Sequence, residues 1–424
     1  MRTFRSACRA GLKACTTFVV LLAAVTVAAQ QPSAIPSLMQ DATIRAALDA
    51  ARTTEPQTIE DQIRFCEVPA PPFKETARGE VLKREFTELG LQNVRVDRAG
   101  NVLGDRPGDA PRPRLVLSAH LDTVFPEETN VKVTRRGQRL EGPGIGDNCR
   151  GLAVLVAVIR SMNQAHVRTP GTVTFVADVG EEGLGDLRGM KALFGETMKG
   201  QIDRFVSLDN ADPHVTIIGV GSHRYRITFK GPGGHSFADF GLPNPANALG
   251  RAIARIAEFR VTDTERTTFN VGRIGGGTSV NAIPSEAWME VDLRSSDSAA
   301  LSALDAKLRQ VVDKAVVEEN ARWGSPGVIT VVKDLVGDRP AGSISEDAPI
   351  VATALATARA VGLPSGISEG STDANIAMSL NIPAITIGGG GRSMNAHAPH
   401  EAFDATDSWR GTENAVLLTI ALAR

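Results

Sequence analysis

The sequence predicts an α/β protein with a largely parallel central sheet, interrupted by a smaller β-α-β-β-α-β (ferredoxin-like) unit. Three observations predict it. Short apolar runs alternate with longer helical patterns on both sides of the middle of the chain, the rhythm of a parallel sheet covered by helices. Between residues 215 and 333 that rhythm changes to strand, helix, two strands, helix, strand. The 424 residues are 42% hydrophobic and 22% charged, enough apolar material for a large core and unlike a disordered chain.

Taken in order, the chain begins with Arg2, Arg5, Arg9 and Lys13, followed by an uncharged stretch from Thr16 to Ala29. A basic start, a short apolar run and a small-residue end form the pattern of a secretory signal peptide cut after Ala29. The run falls short of the ~20 residues of a spanning helix. The expectation is therefore an exported protein, periplasmic or secreted, with no membrane span after processing. Loss of residues 1–29 removes four bases and no acids, taking the net charge from −2 to −6. Such a balance offers no basic surface for nucleic acid. Of four cysteines, only Cys66 and Cys149 would remain, too few for a disulfide framework.

Residues 30–56 are polar and weakly helical and read as a loose lead-in. A first part of the larger domain is expected over 57–214. Ile59, Ile63 and Cys66 fall at helical spacing before Pro69, Pro71 and Pro72 stop the run, and Glu75–Leu89 reads as a second helix closed by Gly90. Arg114–Ser118, Thr172–Ala177 and Phe205–Leu208 read as buried strands, and Gly151–Met162 as a helix. Within 215–333, Tyr225–Lys230, Thr267–Ile274, Ala287–Leu293 and Val328–Val332 read as strands. Asn247–Phe259 and Ala299–Val317 read as its helices. The larger domain resumes over 334–424, with a helix at Ile350–Ala360 and a strand at Ala384–Ile387.

The residues just past each strand carry the chemistry. RLVLSA leads into His120 and Asp122, TVTFVADVG into Glu181 and Glu182, FVSL into Asp209, and AITIGGGG, a few residues on, into His397. Ligands of open α/β sheets bind outside the carboxyl ends of the strands. Asp147 joins them from the glycine-rich turn Gly142–Asp147, where it could also cap the following helix. Carboxylates and imidazoles converging without thiolates suit a divalent metal, zinc first.

The segments HLDTVFP, GPGIGDN, DVGEEGLGD, GPGGHSF, VDLR and HAPHE resemble, in order, the motifs of the dizinc exopeptidase and deacylase family. That family includes peptidase T, dipeptidases, glutamate carboxypeptidase, acetylornithine deacetylase and aminoacylases. The resemblance implies a zinc-peptidase-like domain with an inserted lid over 215–333 that forms a homodimer. It implies two divalent ions, zinc with cobalt or manganese as alternatives, bridged by Asp147. His120 and Asp209 would complete one site, and Glu182 and His397 the other, with Glu401 following at the family's spacing. Glu181 would be the general base, Asp122 the partner of the second His120 nitrogen, and His235 a residue reaching a partner subunit's site. Arg294 and Asn281 would contact substrate.

Aspartate at position 209 goes with aminopeptidases and dipeptidases of that family, so a tripeptidase-like aminopeptidase acting on small peptides is the leading expectation. A carboxypeptidase or N-acyl amino acid deacylase using the same chemistry is the alternative. A further one is a serine hydrolase on Gly366-Ile-Ser368-Glu-Gly370, which matches G-x-S-x-G without a strand leading into it.

Overall fold

A computed structural model describes residues 35–261, 266–324 and 328–424. The expected signal peptide lies outside them. The larger unit is built on a nine-stranded sheet, in which the strands Thr172–Asp178, Arg114–His120, Arg204–Leu208 and Ala384–Ile387 lie side by side and run parallel. Antiparallel strands Gln92–Val96 and Val102–Arg106 close one edge. Along Arg114–His120 the side chains alternate between two covered faces. Leu115, Leu117 and Ala119 join the core formed with helices Cys149–Gln164 and Trp409–Leu422, whereas Val116 packs on the side of Ala374–Ser379. Burial on both faces explains why these strands read as continuous apolar runs.

The lead-in is more ordered than the sequence suggests. Ala42–Thr53 is a regular helix whose N-cap, Asp41, accepts from Thr43 N at 2.8 Å and Ile44 N at 3.2 Å. Ile44, Ala47, Leu48 and Ala51 are buried on its inner face. A cap worth about 1 kcal/mol and roughly 2 kcal/mol for each large aliphatic side chain removed from water account for a helix that its polar composition obscures. Further in, the buried Arg150 pairs with Glu55 at 2.9 Å and donates to the carbonyls of Gly389 and Ser408. It thereby ties the third helix, Glu55–Cys66, to the C-terminal part of the sheet.

The inserted unit follows the expected order of elements: Gly221–Lys230, Pro245–Ala257, Thr267–Gly276, Glu286–Ser295, Ser298–Arg322 and Thr330–Arg339. Its four strands form an antiparallel sheet with Glu286–Ser295 and Gly221–Lys230 at the centre. Tyr225, Ile227, Phe229, Met289, Val291 and Leu293 pack against the two helices. By strand alternation Arg224, Arg226, Glu290, Asp292 and Arg294 occupy the opposite face. Among the described residues no helix is long and apolar enough to cross a membrane.

One buried acid gives the fold a pH signature. Glu413, on the C-terminal helix, is 9% exposed, and burial pushes its carboxyl up to about 7 from an ordinary 4.5. The unfolded chain releases this proton near 4.5, so burial costs nothing below that pH. The cost grows as pH rises towards 7, reaching roughly 1–3 kcal/mol. Glu413→Gln is therefore expected to raise the Tm relative to the parent at pH 8 but not at pH 4.5. Equal Tm differences at both pH values would contradict this.

Candidate metal centre

The parallel strands deliver their ends to one place. His120 is the last residue of its strand and stands in register with Asp178 of the next. The chain after Asp178 turns back to present Glu181 and Glu182. Asp209 follows Leu208, held by a hydrogen bond from its backbone N to Ile387 O at 3.0 Å. His397 arrives on a loop with φ +66°.

Two triads form, and Asp147 belongs to both: His120, Asp147, Asp209 and Asp147, Glu182, His397. Within each, the potential ligand atoms lie within 4.8 Å of one another. His120 Nε2 is 3.2 Å from Asp147 Oδ1 and 3.6 Å from Asp209 Oδ1. His397 Nε2 is 3.3 Å from Asp147 Oδ2 and 2.9 Å from Glu182 Oε1. Burial raises the Glu182 carboxyl to about 7 and shifts Asp209, Glu181 and Asp122 upward as well. Burial would raise Asp147 too, but its contacts with His120 and His397 hold it well below the usual carboxylate range. Contacts with Asp147 and Glu182 lift His397 to about 11, and, against burial, those with Asp147 and Asp209 carry His120 well above its ordinary value. Carboxylates crowded this closely demand positive charge, a demand that divalent cations also meet.

Several residues hold this arrangement. The Asp122 carboxylate accepts from Glu181 N at 3.0 Å and Glu182 N at 2.7 Å. Its own backbone carbonyl, not the carboxylate, is the near partner of His120 Nδ1 (3.0 Å, against 3.8 Å). Asp122 therefore has two tasks. It orients the imidazole through its main chain, while its side chain fixes the loop that carries both glutamates. Asp122→Ala is expected to lower activity or metal affinity about 10–100-fold, as loss of a supporting partner does. A change smaller than about twofold in both, measured by kinetics and metal titration, would contradict this role.

Asp147 is not the helix cap. That place belongs to Asn148, whose Oδ1 accepts from Gly151 N at 3.1 Å while its Nδ2 donates to Leu208 O at 2.9 Å, next to Asp209. Asp147 itself is positioned by Glu401. One oxygen of that carboxylate accepts from Gly146 N (2.8 Å) and Asp147 N (3.0 Å), the other from Gly144 N (3.0 Å). Gly144 is required here, because its φ is +78° and a Cβ would lie 2.6 Å from Thr123 Cγ2.

The family model for peptidases M20/M25/M40 matches residues 116–420. The chain belongs to that family. Among relatives, it is 24% identical to the Bacillus subtilis protein YqjE over 78% of this chain and 90% of that one. It is 27% identical to the cytosol non-specific dipeptidase of Escherichia coli (60% and 57% covered) and to carboxypeptidase G2 of a Pseudomonas species (55% and 59%). The chain thus spans little more than half of either of those two enzymes. Among solved structures, a tripeptidase from Staphylococcus aureus superposes with a TM-score of 0.72 at 22% identity, covering 87% of this chain and 99% of that one. The aminopeptidase PepT of Bacillus cereus gives 0.70 at 22% identity (87% and 98%). A dinuclear metal-binding M20 peptidase of Bacillus subtilis, YxeP, gives 0.65 at 17% (87% and 98%). This M20 chain is accordingly a hydrolase of peptide or amide bonds.

Not every residue singled out in the sequence converges on the triads. His235 and Asn281 neighbour each other on the inserted unit, through the pairing of His235 with Ala282 and a hydrogen bond from Ser236 N to Asn281 O at 3.0 Å. The His235 Nδ1 accepts only from Phe237 N and Ala238 N. Arg294 pairs with Asp292 at 2.7 Å, Asp292 with Arg224 at 3.2 Å, and Arg224 donates to Gly183 O at 2.7 Å, one residue from Glu182. Ser368 lies inside the strand Ile367–Gly370, its hydroxyl 3.0 Å from that of Thr216. A serine in a strand with a threonine for partner lacks the strand-to-helix elbow and the histidine of a nucleophile.

Sequence reasoning misses Arg339. It ends the last strand of the inserted unit, is buried, and bonds Glu181 Oε1 at 3.0 Å as well as the Glu181 carbonyl. Its closest recognisable signal is the Arg-Pro pair where the chain re-enters the larger domain.

Proposed function

We propose that this chain is an exported dimetal exopeptidase that releases the amino-terminal residue of short peptides, tripeptides among them, and works as a homodimer. The observation that carries the reading is the sharing of Asp147 by two ligand triads, with Glu181 beside them and part of neither. Two divalent ions, zinc first, would be held by His120, Asp147 and Asp209 and by Asp147, Glu182 and His397, and would supply an acidified water and a polarised carbonyl.

Glu181 accepts the attacking water's proton and delivers it to the leaving amine. Burial raises its carboxyl above the ordinary value, the direction that makes it a better proton acceptor. Arg339 fixes the reach of that carboxylate, and Asp122 fixes its backbone. Arg294 grips a substrate carboxylate with its planar fork, with Asn281 as a further contact. His235 of a second copy steadies the oxyanion. Exposed Phe237 (87%), Phe240 (79%) and Val280 (102%) surround that segment, and apolar groups so placed favour burial against a second copy.

The amino-end preference rests on aspartate at 209 and on the likeness to PepT-type structures. Similarity to carboxypeptidase G2 and to an N-acetylcysteine deacetylase of Bacillus subtilis favours the second reading, attack next to a free carboxylate. A panel of free, N-acylated and C-terminally blocked tripeptides separates them. Free tripeptides are expected to be cleaved, C-blocked ones more slowly for want of the Arg294 contact, and N-acylated ones spared; cleavage of N-acylated peptides with C-blocked ones spared would establish the second reading.

A further inference from the structure

Away from the metal centre, the helices Ala42–Thr53, Pro349–Ala360 and Trp409–Leu422 border an open surface depression of about 490 Å³. Four guanidiniums line it: Arg45, Arg52, Arg359 and Arg410. Trp409 forms part of the wall, with Arg52 4.1 Å and Arg410 4.7 Å from its ring centroid. Among the described residues, Arg45, Arg359 and Arg52 make no ion pair or side-chain hydrogen bond; Arg52 lies over the ring and acts on Glu413 through its charge alone. Unpaired arginine forks around a concavity are built to receive carboxylates.

The floor has the opposite character. The Glu413 side chain lines the same depression, nine-tenths buried and without a hydrogen bond or salt bridge among the described residues, with Arg52 and Arg410 as its nearest positive charges, and Asp49 stands at the edge. A buried carboxylate with no direct hydrogen-bond donor is costly, and a plain anion would bring it none. A ligand carrying both an ammonium and carboxylates satisfies floor and rim together.

We infer that this depression is a second, non-catalytic binding site for a small acidic zwitterion, a free acidic amino acid or dipeptide, with carboxylates on Arg45 and Arg359 and its ammonium on Glu413. The Trp409 ring and the side chain of Leu48 would take the ligand's aliphatic carbons. The site is independent of the hydrolytic reading, since it shares no residue with the metal centre.

The test uses the full metal-loaded protein and tryptophan fluorescence, titrated with L-glutamate and separately with glutarate, which lacks the amine. The expected result is a saturable change with L-glutamate and at least about tenfold weaker binding of glutarate, the loss of one buried charged contact. The response should vanish in Arg45→Glu/Arg359→Glu and in Trp409→Phe. Glu413→Gln should weaken L-glutamate at least about tenfold and leave glutarate unchanged. Peptide turnover without glutamate should stay within about twofold of the parent in all of these, which confirms folding. An unchanged L-glutamate titration in the double arginine variant would overturn the site. Equal binding of glutamate and glutarate would overturn the zwitterion assignment.

Discussion

Glu181→Gln is expected to lower kcat by about 10²–10⁴-fold, the range for removing a positioned general base, while KM moves less than about threefold and the bound metal is retained. The reason is geometric. Glu181 belongs to neither ligand triad but is close enough to interact with His120, Asp147 and Asp209. Glutamine keeps the size of the side chain and can still meet Arg339, which holds the Glu181 carboxylate at 3.0 Å. Its amide cannot accept a proton from water. Steady-state kinetics together with metal analysis of the purified variant check the claim. Turnover near the parent level would remove Glu181 from its role, and loss of metal would reassign it as a ligand.

Asp147→Ala is expected to have a different signature. Asp147 is the residue common to both triads, facing His120 at 3.2 Å and His397 at 3.3 Å. Its removal takes a ligand from both sites at once and leaves the two imidazoles without a shared anion. Bound metal should fall from two ions to fewer than one per chain, and activity by about 10³-fold or more, because both water activation and carbonyl polarisation go with it. Asp209→Ala and Glu182→Ala each touch one triad only, so each should retain one tightly held ion. An Asp147→Ala protein that still bound two ions would show that the bridge lies elsewhere.

Much of this architecture is legible in the sequence, and the limits have physical causes. The buried strands announce themselves because burial on both faces makes Thr172–Asp178 and Arg204–Leu208 continuous apolar runs. Their ends then deliver His120, Glu181, Glu182 and Asp209, since parallel strands share one carboxyl edge. The alternation in Tyr225–Lys230 and Ala287–Leu293 exposes the inserted sheet in the same way, one face packed and one polar. Features that depend on contacts distant in sequence stay hidden. Glu401 grips three backbone N–H groups of the Gly142–Asp147 turn across more than 250 residues, so in sequence it is only a spacing marker behind His397. Arg339 meets Glu181 at a junction between units, where no periodicity identifies it. The second task of Asp122 is hidden for the same reason: its carboxylate meets Glu181 N and Glu182 N, 59 and 60 residues further along the chain. The helix Ala42–Thr53 is underestimated because its four buried residues gain their stability from packing against helices distant in sequence, Cys149–Gln164 and Trp409–Leu422.

Metal content per chain, determined on the purified protein alongside turnover of a free tripeptide, tests most directly whether the two triads sharing Asp147 form one dimetal hydrolytic centre. Two divalent ions per chain are expected, with activity lost when a chelator removes them and regained on adding zinc, cobalt or manganese. Undiminished peptide turnover by protein stripped of both ions would contradict that centre.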